Sequence, residues 1–171
     1  MRMTRSSVFC SVGMIALLLF AAAVAADRTK SEKAFDRLAS LQGDWEGEQQ
    51  GTKVRVTYTL TANGSALMEQ FRPDNGPVMI TMFTVDGDHL IATHYCSARN
   101  QPQMVTSAIT DAQKPLGFSL ARITGLKSPD DWHNTGLTVI QEDNDHLTQE
   151  WTYESSGKIG KTVFRYTRIQ Q

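Results

Sequence analysis

Hydrophobic and polar residues alternate along most of this chain with a period of two, and only near the start does the period lengthen to that of a helix. Thr29 followed by Glu32 has the form of a capping box, and Phe35, Leu38 and Leu41 recur at helical spacing until Gly43 ends the pattern. The spacing predicts a short amphipathic helix over Lys30 to Leu41. The alternation after Gly43 is clearest in Lys53 to Thr61, where Val54, Val56, Tyr58 and Leu60 point one way and Lys53, Arg55, Thr57 and Thr59 the other. Asn63-Gly64 supplies the positive φ angles of a tight hairpin turn, and Ser65 to Phe71 returns as the next strand. Arg72 to Pro77 reads as a loop.

Val78 to Val85 and His89 to Cys96 flank a second hairpin signal at Asp86-Gly87. Gln103 to Thr110, Gly117 to Ile123, Thr135 to Gln141, His146 to Glu154 and Lys161 to Ile169 complete the set, with Asn144-Asp145 and Ser156-Gly157 punctuating the last three. The one longer connection holds Ser128-Pro129-Asp130-Asp131-Trp132, whose capping serine, proline and early acids predict a single helical turn. No internal repeat or interdomain linker interrupts the pattern. About nine to ten short strands, each with one apolar face, must bury that face, and closure removes both exposed edges without covering helices. The expected fold is therefore all-β: a single up-and-down antiparallel β-barrel of about nine to ten strands with a short N-terminal helix, a two-sheet sandwich being its main rival.

The residues ahead of this pattern belong to a different class. Arg2 and Arg5 precede an apolar run that begins at Val12, and small residues Ala21 to Ala26 lie directly before Asp27. That order is the tripartite form of an export signal, and the stretch from Val12 to Ala26 is shorter than the roughly 20 residues a bilayer crossing requires. Residues 1–26 are accordingly expected to be a cleavable signal peptide and residues 27–171 one domain of secreted or periplasmic location, with no membrane span after cleavage. The chain holds 17 lysines and arginines against 18 aspartates and glutamates. Loss of Arg2 and Arg5 makes it more acidic, which argues against nucleic acid as a partner.

Cys10 leaves with the signal, so Cys96 is the lone cysteine of the mature chain and no intramolecular disulfide can form. It is either a buried, inert thiol, the usual state of a free cysteine, or a reactive or intermolecular site.

Gly43-Asp44-Trp45, at the start of the first strand, resembles the G-x-W signature of the calycin (lipocalin-like) superfamily, and Leu38 to Gly47, LASLQGDWEG, is similar to the opening of nitrobindin-like and related secreted domains. The resemblance implies that Trp45 packs across one barrel end and meets an arginine of the last strand, Arg165 or Arg168. It also implies haem as a candidate cofactor, held by a histidine near the chain end. The penultimate strand, Leu147 to Tyr153, contains no histidine, so position supplies no axial ligand, and His94 is the remaining imidazole considered for that role. The expectation is no cofactor, with haem as the exception.

The densest chemistry lies in Thr93-His94-Tyr95-Cys96 and, across a turn, Arg99, Asn100, Gln101 and Gln103. On a strand His94 and Cys96 share one face with Leu90 and Ala92, while Thr93 and Tyr95 share the other. A zinc site needs three or four ligands, and His89, His133 and His146 stand at turns or loops without paired spacing. A catalytic Cys96 and His94 pair lacks a third orienting group. Met68, Met79, Met82 and Met104 either fill the core or line an adaptable cavity. Glu69, Glu150 and Glu154 fall on strands without the pairing a glycosidase needs.

Two functional readings follow. In the first, the barrel is a noncatalytic binding module for a small apolar molecule, with His94, Tyr95, Cys96, Arg99 and Gln103 as candidate contacts. In the second it is an enzyme with His94 as acid or base in a cleft at the barrel mouth, or a partner-binding protein of the envelope. The export reading makes the first prediction: expression of the full chain, followed by intact mass measurement of the exported fraction, yields a species beginning at Asp27 or one residue earlier.

Overall fold

The computed structural model describes residues 27–49 and 51–170, so the expected signal peptide lies outside the described residues. Helix α1, Lys30–Ala39, precedes ten strands: β1 Gly43–Gln49, β2 Thr52–Thr61, β3 Ala66–Pro73, β4 Met79–Asp86, β5 His89–Tyr95, β6 Gln101–Thr106, β7 Leu116–Thr124, β8 His133–Gln141, β9 His146–Ser155 and β10 Lys158–Arg168. Every strand pairs antiparallel with its neighbour in sequence, and β1 pairs with β10, closing the barrel. The capping box forms: Thr29 Oγ1 accepts from the Glu32 amide at 3.2 Å while the Glu32 carboxylate accepts from the Thr29 amide at 2.7 Å. The amphipathic face of α1 then buries Ala34, Phe35 and Leu38 against the barrel.

The helix closes one end of the barrel. Ser31 Oγ donates to the carbonyl of Gly87 at 2.7 Å, at the β4–β5 turn, and Arg37 reaches the carbonyls of Gln113 and Lys114. Below it Trp45 is fully buried and donates its indole N–H to the Leu41 carbonyl at 2.8 Å. Arg168 lies over the Trp45 ring, 4.2 Å from its centre. Its three guanidinium nitrogens donate to the carbonyls of Asn144 (2.7 Å), Gln42 (2.7 Å) and Ser40 (3.1 Å), so one side chain fastens the last strand to the end of α1. Arg165, the other arginine considered for this place, is exposed on the outer face. Gly47 lets β1 approach β10 closely, because a Cβ there would meet the Arg165 carbonyl and, at 2.9 Å, the Tyr166 ring.

Several boundaries differ from the sequence reading, each for a reason of pairing. The helix ends at Ala39, two residues early, where Ser40 caps it. β3 runs on through Arg72 and Pro73 because Arg55 and Val54 of β2 extend opposite them. β10 begins three residues early, at Lys158, opposite Ser155. β6 stops at Thr106, and the segment after it turns across the barrel end, with the Ile109 amide on the Asp88 carbonyl at 2.8 Å. Ser128 to Trp132 forms a hydrogen-bonded turn and no helix. The Asp131 carboxylate accepts from the amides of Lys127 and Ser128, both at 3.0 Å, and so folds the segment back on itself.

The Arg168 contacts predict that Arg168→Ala lowers stability by about 2–3 kcal/mol, from lost charge-assisted hydrogen bonds and ring stacking. Arg168→Lys recovers only part of this, since an ammonium gathers its donors on one nitrogen and lacks the planar face that stacks on Trp45. Urea midpoints of the three proteins check both statements.

Candidate functional site

Inward-facing side chains fill the helix end of the barrel and leave the other end open. Val56, Leu67, Phe83, Leu90, Ala92, Met104, Leu137, Leu147 and Tyr166 are almost fully buried there and form the continuous core. Towards the opposite mouth the same strands contribute Val54, Phe71, Met79, Trp151, Tyr153 and Phe164, which surround a cavity of about 450 Å³. Pro73, Pro77 and Trp132 stand at its rim, and the Trp132 ring stacks on Tyr153 with centres 5.4 Å apart. Phe71 meets Phe164 edge to face at 5.3 Å, so aromatic surfaces make up much of the wall.

Between core and cavity lies a layer of buried polar groups. Glu69 of β3 is 1% exposed and receives three donors: the Tyr58 hydroxyl at 2.7 Å, the Gln149 side-chain amide, and the Thr81 hydroxyl at 3.3 Å. Gln149 Nε2 also donates to Tyr58 at 2.8 Å, and Gln149 Oε1 accepts the indole N–H of Trp151 at 3.0 Å. Thr81 Oγ1 lies 3.0 Å from Nδ1 of His94, whose ring rests 4.9 Å from the Trp151 ring. The network thus runs unbroken from Gln149 through Glu69 and Thr81 to His94. Such a layer is tolerable inside a barrel because its members satisfy one another.

His94 is 5% exposed, and burial drives its pKa from the ordinary 6.5 to about 4. The imidazole is therefore neutral near neutral pH. Its Nδ1 is engaged by Thr81. Among the described residues the sealed polar side-chain atoms without a partner are Asn100 Oδ1 and the Tyr166 hydroxyl, so the unbonded Nε2 of His94 keeps access to the cavity. Burial likewise raises the pKa of Glu69, against the lowering effect of its three donors, and holds the Tyr58 hydroxyl protonated.

Of the residues singled out from sequence, His94 and Cys96 face the cavity together. The turn after them is tight: the Cys96 amide donates to the Asn100 carbonyl at 3.1 Å, the Arg99 amide to the Cys96 carbonyl at 3.0 Å, and Arg99 adopts a φ of +65°. Asn100 Nδ2 donates to the Trp132 carbonyl at 2.8 Å, which fixes the rim tryptophan to this turn. The other candidates lie elsewhere. Tyr95 is 50% exposed on the outer face, Arg99 is exposed in the turn, and Gln103 on the outer face donates to Thr93 Oγ1 at 3.3 Å. Of the strand methionines, Met79 lines the cavity and Met104 fills the core, while Met68 pairs with Met82 on the outside.

Glu69, Thr81, Tyr58, Gln149 and Trp151 complete a site that the sequence reading built from His94, Tyr95, Cys96, Arg99 and Gln103. The legible sign was positional: Glu69 and Gln149 occupy inward places between Leu67 and Phe71 and between Leu147 and Trp151. Among the described residues, no three or more His, Cys, Asp or Glu side chains converge as a metal site. No helix among them is long and apolar enough to cross a membrane.

No family model and no curated protein sequence matches this chain. Its structure is similar to the crystal structure of Rv2717c from M. tuberculosis, with a TM-score of 0.55 and 16% identity over 81% of this chain and 98% of that one. A protein of unknown function of the DUF3598 family from Nostoc punctiforme gives a TM-score of 0.44 and 12% identity over 77% of this chain and 49% of its own. The likeness to Rv2717c is one of fold alone.

The environment of His94 predicts its titration. Because the folded value lies below the unfolded one, stability is complete above 6.5 and declines as pH falls towards about 4, by a total on the order of 3 kcal/mol. Glu69, with a raised pKa, acts in the opposite direction and disfavours the fold as pH rises through its folded value. In proton–carbon NMR spectra the His94 ring, assigned through His94→Gln, is expected to keep its neutral shift at pH values where His146, raised by Asp143, is already protonated.

Proposed function

We propose that this chain is an exported binding protein of calycin type that holds a small, mostly apolar ligand in the unfilled end of its barrel. The observation that carries the reading is the cavity itself, about 450 Å³ and walled mainly by apolar and aromatic side chains. That volume lies within the range of pockets that enclose small organic molecules. The few polar groups at its floor, Glu69 and Nε2 of His94, orient a ligand in the way that such pockets commonly use.

A second reading, acid–base catalysis at His94, draws support from the relay of Glu69, Thr81 and His94, in which a carboxyl orients an imidazole through a hydroxyl. A pKa of about 4 makes that imidazole a weak base, which favours binding over proton abstraction. Haem held through His94 Nε2 is the cofactor variant of the binding reading, and an absorption spectrum of the purified protein with a Soret band identifies it.

The test is titration with N-phenylnaphthylamine, a neutral apolar probe whose emission rises in dry surroundings. Saturable binding in the micromolar range is expected. Thr162→Trp, which places an indole in the cavity from β10, is expected to weaken it by at least about tenfold while leaving the urea midpoint little changed. Absence of saturable binding of this probe overturns the reading.

A further inference from the structure

Among the described residues, the cavity lining contains one carboxylate, Glu69, and no lysine or arginine. A carboxylate at this depth ordinarily finds a cation, since hydrogen bonds alone offset only part of its lost hydration. Here the donors are a phenol, a carboxamide and a threonine hydroxyl, all neutral. Two of them, Tyr58 and Gln149, converge on Oε2, whereas Oε1 receives only the long 3.3 Å contact from Thr81. The carboxylate thus keeps accepting capacity on one oxygen and lacks a countercharge.

The proton count along the relay extends this to His94. Thr81 has one hydroxyl proton and two neighbours, Glu69 Oε1 at 3.3 Å and His94 Nδ1 at 3.0 Å. When Glu69 is ionised, Thr81 donates to it and must accept from Nδ1–H, which leaves a lone pair on Nε2. That nitrogen makes no hydrogen bond among the described residues and keeps access to the cavity. The floor then presents two acceptors, one of them charged, and no charged donor. Around them stand the faces and edges of Phe71, Trp151 and Phe164, whose π systems attract cations.

We propose that the ligand class of this cavity is an organic cation: an apolar, preferably aromatic, body bearing an ammonium group that seats against Glu69 and Nε2 of His94. This rests on the ligand-binding reading above and names its chemistry. An ammonium supplies both missing elements, the countercharge for Glu69 and N–H donors for two acceptors. A carboxylate ligand would meet Glu69 with like charge and would find no cation in the wall.

Three isosteric probes decide it on the full mature protein at neutral pH: naphthylmethylamine, naphthylmethanol and naphthoate, each measured by displacement of N-phenylnaphthylamine. The expected order is amine, then alcohol, then carboxylate, with the amine about tenfold or more tighter than the alcohol. Glu69→Gln is expected to bring amine and alcohol within about threefold of each other. If Glu69→Gln does not fold, the order on the wild-type protein decides alone. Binding of the alcohol with no gain for the amine, or naphthoate binding as well as the amine, overturns the cation assignment and leaves the binding reading standing. An amine preference that survives Glu69→Gln also overturns it. Binding of none of the three, nor of the neutral probe, overturns both.

Discussion

Among the described residues the first and last strands meet across three residue pairs, Trp45 with Arg168, Glu46 with Thr167 and Gly47 with Tyr166, and the whole barrel depends on that short seam. A ten-strand meander left open would expose two edges of unpaired amide and carbonyl groups. So brief a ladder is a weak closure by itself, and side chains reinforce it from both directions. Arg168 stacks on Trp45 and grips carbonyls on either side, while Gly47 removes the Cβ that would hold the strands apart. Helix α1 is drawn into the same joint through Ser40 and Gln42, which is why one short helix suffices to seal that end.

With one end sealed, the interior divides by chemistry. Large aliphatic and aromatic side chains fill the space beneath the helix. At the level of Glu69, Thr81, His94 and Gln149 the filling changes to a hydrogen-bonded layer, and beyond it the inward side chains wall a cavity and no longer fill the barrel. The barrel is neither hollow nor filled: the buried network is at once the roof of the core and the floor of the cavity. This double role explains why groups costly to bury sit in the middle of the structure, since each holds a neighbour in place while one side of the layer remains approachable.

Much of the fold was legible because a strand with one buried face writes its orientation into alternate residues. The split of Val54, Val56 and Tyr58 from Lys53, Arg55 and Thr57 needs no tertiary knowledge, and the turns at Asn63-Gly64 and Asp86-Gly87 mark the hairpins. The site was less legible, because its members come from β2, β3, β4, β5 and β9, and the distance in sequence between Tyr58 and Gln149 says nothing of their contact. Alternation put His94 and Cys96 on one face with Leu90 and Ala92 and Tyr95 on the other, yet it could not say which residues of a face meet across the barrel. Gln103 and Arg99 drew attention for their chemistry, whereas register puts the one outside and a left-handed turn residue exposes the other. The turn at Ser128 to Trp132 misled for a local reason: proline and early acids suit a helix start, but the Asp131 carboxylate satisfies the backbone of a tighter bend.

The Arg168 clamp also has a temporal side. It joins carbonyls that stand 126 and 128 residues earlier in the chain, so the contact that completes the barrel is among the most distant the sequence can make. Contacts of such long range form slowly, because the intervening chain must be ordered before its ends can meet. A chain that emerges N-terminus first has α1 and nine of the ten strands in hand while both edges are still bare, and only β10 delivers the residue that locks them. Closure of this barrel therefore waits for β10, and until Arg168 is in place both sheet edges stay open to mispairing.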